Sequence, residues 1–174
     1  RNKKYYSNNW RGKYASDGGV LTNQAIHLLD TLVYNFGSIS KFDVFASFDK
    51  KKLQAEDLII INFKHTNGIL SSFKATTRAN NNYRSAIDII GDKGRIIVKG
   101  VSLNTFNKFK NDELVLYKKF SENFGENLGA AGGMGFGHTK ILNEFLKHNK
   151  KSSRHLEIEY NYYLLKLIHS IYNN

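Results

Sequence analysis

Residues 57–77 read DLIIINFKHTNGILSSFKATT, and the fold turns on this stretch. Two β-rich runs, 57–63 and 69–77, flank Thr66-Asn67-Gly68. An Asn-Gly pair between such runs marks a hairpin, because a type I′ turn needs φ > 0 at both central residues. The expectation is an antiparallel pair closed by that turn. Within Leu58–Phe63 both alternating sets are apolar: Leu58 and Ile60 on one side, Ile59, Ile61 and Phe63 on the other. A sheet with one wet face alternates apolar with polar, so both faces of this strand are expected to be covered. Helices cover one. A second subunit or a further domain covers the other, unless the outer apolar residues are incidental to a central strand.

The pattern continues on either side. Residues 41–48 alternate Phe42 and Val44 with Asp43 and Phe45. Residues 86–91 and 95–99 flank Asp92-Lys93-Gly94 as a second hairpin, and 113–120 reads as a further strand. Residues 1–19 are polar and Gly-punctuated, hence mostly loop. Residues 20–36 carry Leu21, Ala25, Leu28, Leu29, Leu32, Val33 and Phe36 on one side of a helix, which Gly37 ends. Helices are also expected over 138–149 and about 156–172. Between the strands and these helices lies a Gly-rich loop, 125–137. It does not follow a buried strand and shows no GxGxxG in a βαβ unit, so it reads as a surface or substrate-edge loop. Hairpins followed by helices predict an α+β fold: an open, mostly antiparallel sheet with helices packed on one face. Without repeats or linkers, 1–174 reads as a single domain.

Composition narrows the chemistry. There are no cysteines, which excludes disulfides, thiolate metal sites and a Cys nucleophile, and suits a cytoplasmic address. No apolar run approaches the roughly 18 residues of a membrane span, and Arg1-Asn2-Lys3-Lys4 begins no signal peptide. The absence of an initiating Met raises the expectation of a longer parent chain. The net charge of +11 suggests a polyanion, either nucleic acid or a phosphorylated substrate. The bases are spread along the chain, with tight clusters only at 50–52 and 147–151. That spread, beside abundant Lys, Asn, Ile, Phe and Tyr, reads first as compositional drift and argues against nucleic acid.

The helix after Gly18-Gly19 is the most informative. Asn23, His27, Asp30 and Tyr34 follow at steps of four, three and four, within a wedge of about 60°. Imidazole is the natural proton shuttle near neutral pH, and a carboxylate one turn on is placed to orient it. The same spacing describes a solvated polar face with one histidine, and spacing alone favours that reading. The glycines would let an anion approach the helix N-terminus. Asn23 and His27 lack a further His or carboxylate partner, so no metal is expected. His138, opening a helix after the Gly-rich loop, is a second candidate; His65, His148, His155 and His169 are scattered.

Trp10-Arg11-Gly12-Lys13-Tyr14, followed by Asp17-Gly18-Gly19-Val20-Leu21-Thr22-Asn23-Gln24-Ala25-Ile26-His27-Leu28-Leu29-Asp30, resembles the glucose–fructose oxidoreductase / inositol dehydrogenase (Gfo/Idh/MocA) family. The resemblance extends through Glu56-Asp57, Asn67-Gly68, the Ile89–Gly94 hairpin, His138–Phe145 and Ile168–Tyr172, so it spans essentially the whole chain. It implies the C-terminal domain of a two-domain oxidoreductase acting on a sugar CH–OH group, with NAD or NADP held by a Rossmann domain absent from this chain. It implies His27 as the catalytic acid/base and Asn23 and Arg11 as substrate-binding residues, beside Asp30, whose spacing makes it the candidate orienting carboxylate. Many relatives carry Asp where this chain has Asn23, which puts the proton on His27. The Asn-Gln-x-Ile-His form with Trp-Arg-Gly is most similar to the branch acting on UDP-N-acetylglucosaminuronate or related nucleotide sugars in surface-polysaccharide synthesis. The sheet would carry a homodimer or homotetramer interface. Two other classes compete: a non-catalytic scaffold that kept the fold, and a basic nucleic-acid-binding module.

Overall fold

In the computed structural model, which describes residues 5–7, 10–48, 53–79, 85–100, 103–119, 143, 146 and 157–174, the chain forms two compact units. The first comprises Arg1–Asn81 with Ser153–Asn174, the second Asn82–Ser152. The fold class is α+β, and every strand pairing is antiparallel among the described residues.

The first unit holds α1 (Val20–Asn23), α2 (Ile26–Phe36), β1 (Ile39–Ser47), β2 (Leu58–His65), β3 (Leu70–Thr76) and α3 (Ile158–Tyr172). The sheet order is β1-β2-β3. Its inner face is set by period-two alternation on β2: Ile59, Ile61, Phe63 and His65 are all buried. Register stacks Val44, Ile61 and Phe73 across the three strands. Leu21, Ala25, Leu29 and Val33 pack on this face, joined by Tyr160, Leu164, Leu167, Ile168 and Ile171 at helical spacing on α3. Helices thus cover one face, as the residue pattern predicts. On the other face Leu58 and Ile60 are half-buried and Phe45 is 66% exposed.

Two expectations about local geometry are corrected. The turn after β2 is not type I′. Only Gly68 has positive φ there, at 90°, and His65 N–H donates to Ile69 O at 2.8 Å, which makes a three-residue loop. Asn67 instead uses its side chain, donating to Phe36 O at 2.9 Å and accepting from Ile69 N–H at 3.2 Å. It thereby caps the end of α2, where Gly37 takes φ 90°. Nor is 20–36 one helix. Ala25 N–H reaches back to Val20 O, closing α1 with a wider turn, and α2 restarts at Ile26.

His65 is a packing histidine. Its Nδ1 donates to Gly37 O at 2.8 Å, and its Nε2 pairs with Ser71 Oγ at 2.9 Å. It joins the end of α2 to β2 and β3.

The second unit is the sheet β4 (Ala86–Gly91), β5 (Gly94–Lys99), β6 (Thr105–Lys110) and β7 (Glu113–Lys119), in that order. The type I′ signature occurs here, at Asn111 and Asp112, with φ of 51° and 62°. Strand β6 was not foreseen: TFNKFK offers only two strong apolar residues. Ile87, Ile89, Ile96, Ile97 and Val98 are half-buried. On β7, Leu114, Val115, Leu116 and Tyr117 are all exposed. The Gly-rich loop 125–137, the helix 138–149 with His138, and the lysine clusters 50–52 and 147–151 lie outside the described residues, apart from residues 143 and 146, which are helical.

Candidate functional site

Arg11, Asn23, His27 and Asp30 all fall in the first unit, the first two along the loop and short helix α1 and the last two on α2. Gly12, with φ 74°, turns the chain back so that its carbonyl accepts from Gln54 N–H at 2.8 Å and Ala55 N–H at 3.2 Å. Asp17 then bridges two elements. Its Oδ1 accepts from Gly12 N–H at 2.7 Å and its Oδ2 from Asn23 Nδ2 at 3.1 Å. Arg11, half-buried, lays its guanidinium over the Trp10 ring at 5.0 Å from the centroid. Asn23 ends α1, and its Oδ1 accepts from Gln24 Nε2 at 2.8 Å.

The anion expected at the helix N-terminus is supplied from within the chain. Val20 N–H donates to Glu56 O at 2.8 Å, and Leu21 N–H donates to Glu56 Oε1 at 2.9 Å. A Cβ on Gly19 would lie 1.7 Å from Glu56 Oε2, so only glycine fits against the carboxylate. Tyr172 at the end of α3 donates to the same Oε1 at 2.9 Å. Glu56 is 6% exposed, and burial raises its pKa above the ordinary carboxyl value. Burial likewise pushes the Tyr172 phenol up, with the Glu56 charge adding to the shift.

His27 stands exposed on the first turn of α2. Asp30, one turn on, is half-buried and accepts from Tyr160 Oη at 2.5 Å. Tyr34 meets the Tyr160 ring edge-on at 6.1 Å. The α1–α2 break means that Asn23 does not share a helix with His27, Asp30 and Tyr34, so the common wedge holds only for the last three. The structure therefore gathers Asn23, Asp17 and the Arg11–Gly12 peptide into one hydrogen-bonded group, and ties Asp30 to α3.

Asp17 and Glu56 were not anticipated as site residues. Their partners include backbone N–H groups, which leave no trace in sequence spacing. Beneath Gly12, Asp17, Gly19, Asn23, Gln24 and Glu56 lies a cavity of about 20 Å³, one water in size. A larger cleft of about 340 Å³ runs past Tyr14, Val44, Phe48, Glu56 and Tyr172. No group of three His, Asp or Glu side chains converges on a metal position among the described residues. No helix there is long and apolar enough to cross a membrane. No strand there runs through a Gly-rich turn into a helix, so the described residues do not fit a dinucleotide pyrophosphate.

The family described as GFO/IDH/MocA C-terminal domain matches residues 1–97. No curated protein matches. Among solved structures, the WlbA dehydrogenase from Bordetella pertussis, in complex with NADH and UDP-GlcNAcA, shares 22% identity at a TM-score of 0.72, over 99% of this chain and 48% of its own. WlbA from Chromobacterium violaceum, with the same two ligands, shares 24% at 0.72 over 99% and 48%. An oxidoreductase from Agrobacterium radiobacter in complex with NAD+, L-tartaric acid and magnesium shares 14% at 0.77 over 99% and 51%. At these identities the likeness is one of fold. The chain spans about half the length of each.

Proposed function

Because the chain belongs to the GFO/IDH/MocA family, we propose that it is the substrate-binding and oligomerisation half of an NAD- or NADP-dependent oxidoreductase acting on a sugar CH–OH group. The substrate class is a nucleotide sugar of the UDP-N-acetylglucosaminuronate type, used in the cytoplasm for surface-polysaccharide synthesis. The observation that carries the reading is His27, an exposed imidazole on the first turn of α2, in a chain whose fold matches two dehydrogenases solved with NADH and UDP-GlcNAcA.

In this reading His27 accepts the hydroxyl proton as the carbinol is oxidised, since otherwise positive charge would remain on the new carbonyl oxygen. Asn23 holds the sugar and Asp30, anchored by Tyr160, orients the imidazole. Arg11 pairs with a carboxylate or phosphate of the substrate. The dinucleotide is assigned to residues other than those described. The domain is taken as 1–174, working as a homodimer or homotetramer through the sheet face that carries Phe45, Leu58 and Ile60.

The test uses the full-length protein. His27→Ala is expected to lower kcat by on the order of 10²–10⁴, the size of a general-base effect, with folding intact. Asn23→Ala is expected mainly to raise KM. Near-wild-type turnover in His27→Ala, or loss of the fold, would overturn the assignment.

A further inference from the structure

We infer that Asp17 is a positioning residue that presets the sugar-binding groups, an inference that rests on the proposed function. Its carboxylate is the shared acceptor between the two elements that carry Arg11 and Asn23. The N–H it takes from Gly12, at 2.7 Å, belongs to the Arg11–Gly12 peptide. The N–H it takes from Asn23, at 3.1 Å, belongs to the amide that holds the sugar. One side chain therefore fixes the plane of the peptide following Arg11 and the rotation of the Asn23 amide together.

The chemistry of the pair dictates which way that amide faces. An ionised carboxylate only accepts, so it selects the NH₂ end of Asn23. The carbonyl end is turned towards Gln24, whose Nε2 donates to it at 2.8 Å. What remains for a ligand is one amide N–H and one lone pair of Oδ1, a donor and an acceptor side by side. That pair matches a sugar hydroxyl, which both accepts and donates.

Asp17 is itself held on both sides. Its N–H donates to Lys13 O at 3.2 Å, and its carbonyl accepts from Thr22 Oγ1 at 3.3 Å. Gly12 is in turn anchored through its carbonyl to Gln54 and Ala55, just ahead of β2. The chain of contacts runs from the segment that leads into the central strand β2 through Gly12 and Asp17 to Asn23. Binding residues held in this way lose little freedom when substrate arrives, and the effect falls on KM.

The test is a polarity swap in the full-length protein, read by KM, kcat and melting temperature. In Asp17→Asn the single carbonyl oxygen cannot serve both donors, and an NH₂ group faces Gly12 or Asn23. In Asn23→Asp two carboxylates face each other across the gap measured at 3.1 Å. In the double variant donor and acceptor are matched again, with the polarity reversed. Each single substitution is expected to raise KM about tenfold with kcat within about threefold, the size of one lost hydrogen bond to a charged group. The double variant is expected to have a lower KM than either single. Singles that leave KM unchanged, or a double whose KM is the product of the two effects, would overturn the positioning role. A melting-temperature loss without a KM effect would also overturn it, since it shows a scaffold contact only. A wild-type protein that turns over no sugar refutes the proposed function instead. The role of Asp17 in presetting sugar-binding groups falls with it, whereas turnover in the wild type with KM unchanged in the singles overturns the role of Asp17 alone.

Discussion

Removing the Glu56 carboxylate is expected to unlatch the start of α1 from the end of α3. The side chain is 6% exposed and accepts from Leu21 N–H and Tyr172 Oη, each at 2.9 Å. In Glu56→Ala the buried Leu21 N–H loses its partner outright, and the half-buried Tyr172 hydroxyl loses one of two. The stranded Leu21 N–H costs about 1–3 kcal/mol and the lost Tyr172 bond about 1 more, so the total is expected at about 2–4 kcal/mol. Glu56→Gln behaves differently, because a carbonyl oxygen still serves both donors and no charge is buried. Burial raises the folded-state pKa of Glu56 above 4.5. The stability tied to that shift is fully present below the unfolded carboxyl value and is lost as pH rises through the raised folded value. Wild type should therefore lose stability relative to Glu56→Gln as pH rises across the range from the ordinary carboxyl value to neutrality. Equilibrium urea unfolding at both ends of that range measures it. A Glu56→Ala protein within about 0.5 kcal/mol of wild type would refute the latch. So would a Glu56→Gln protein as damaged as Glu56→Ala at both pH values.

Two further outcomes probe other contacts. Tyr160→Phe deletes the hydroxyl bonded to Asp30 at 2.5 Å and should cost about 1.5–3 kcal/mol in urea unfolding, the range for a bond to a charged group. Gly94→Ala places a Cβ 2.3 Å from Phe109 O at φ 129°, so it should destabilise the second unit by more than about 1 kcal/mol, read by amide exchange on β5 and β6.

Much of the first unit was legible because its signals are periodic. Buried residues on β2 fall at every second position through His65, and those on α3 at helical spacing. His65 carried the same signal: it is in phase with Ile59, Ile61 and Phe63, which marks it as a core residue. The break between α1 and α2 was not legible, since no Gly or Pro stands at Gln24-Ala25. It accompanies a first turn capped by Glu56, a residue 35 positions away from Leu21. The Asn-Gly hairpin was placed correctly but its turn type was not, because Asn67 was recruited to the end of α2. His27, Asn23 and Arg11 stood out in the sequence as candidates; Asp17 and Glu56 did not, because part of what they do is accept hydrogen bonds from main-chain groups.

Strand β7 has a practical consequence. Successive side chains of a strand point to opposite sides, so four exposed residues in a row, Leu114 to Tyr117, leave both of its sides open. It also ends the order β4-β5-β6-β7, which leaves its outer main-chain groups without a neighbouring strand among the described residues. An open apolar edge is a template for intermolecular pairing, and the exposed Lys118 sets a charge near its end. Handling of the protein should follow from this: aggregation during refolding should rise with concentration, and a single lysine placed at Val115 should suppress it.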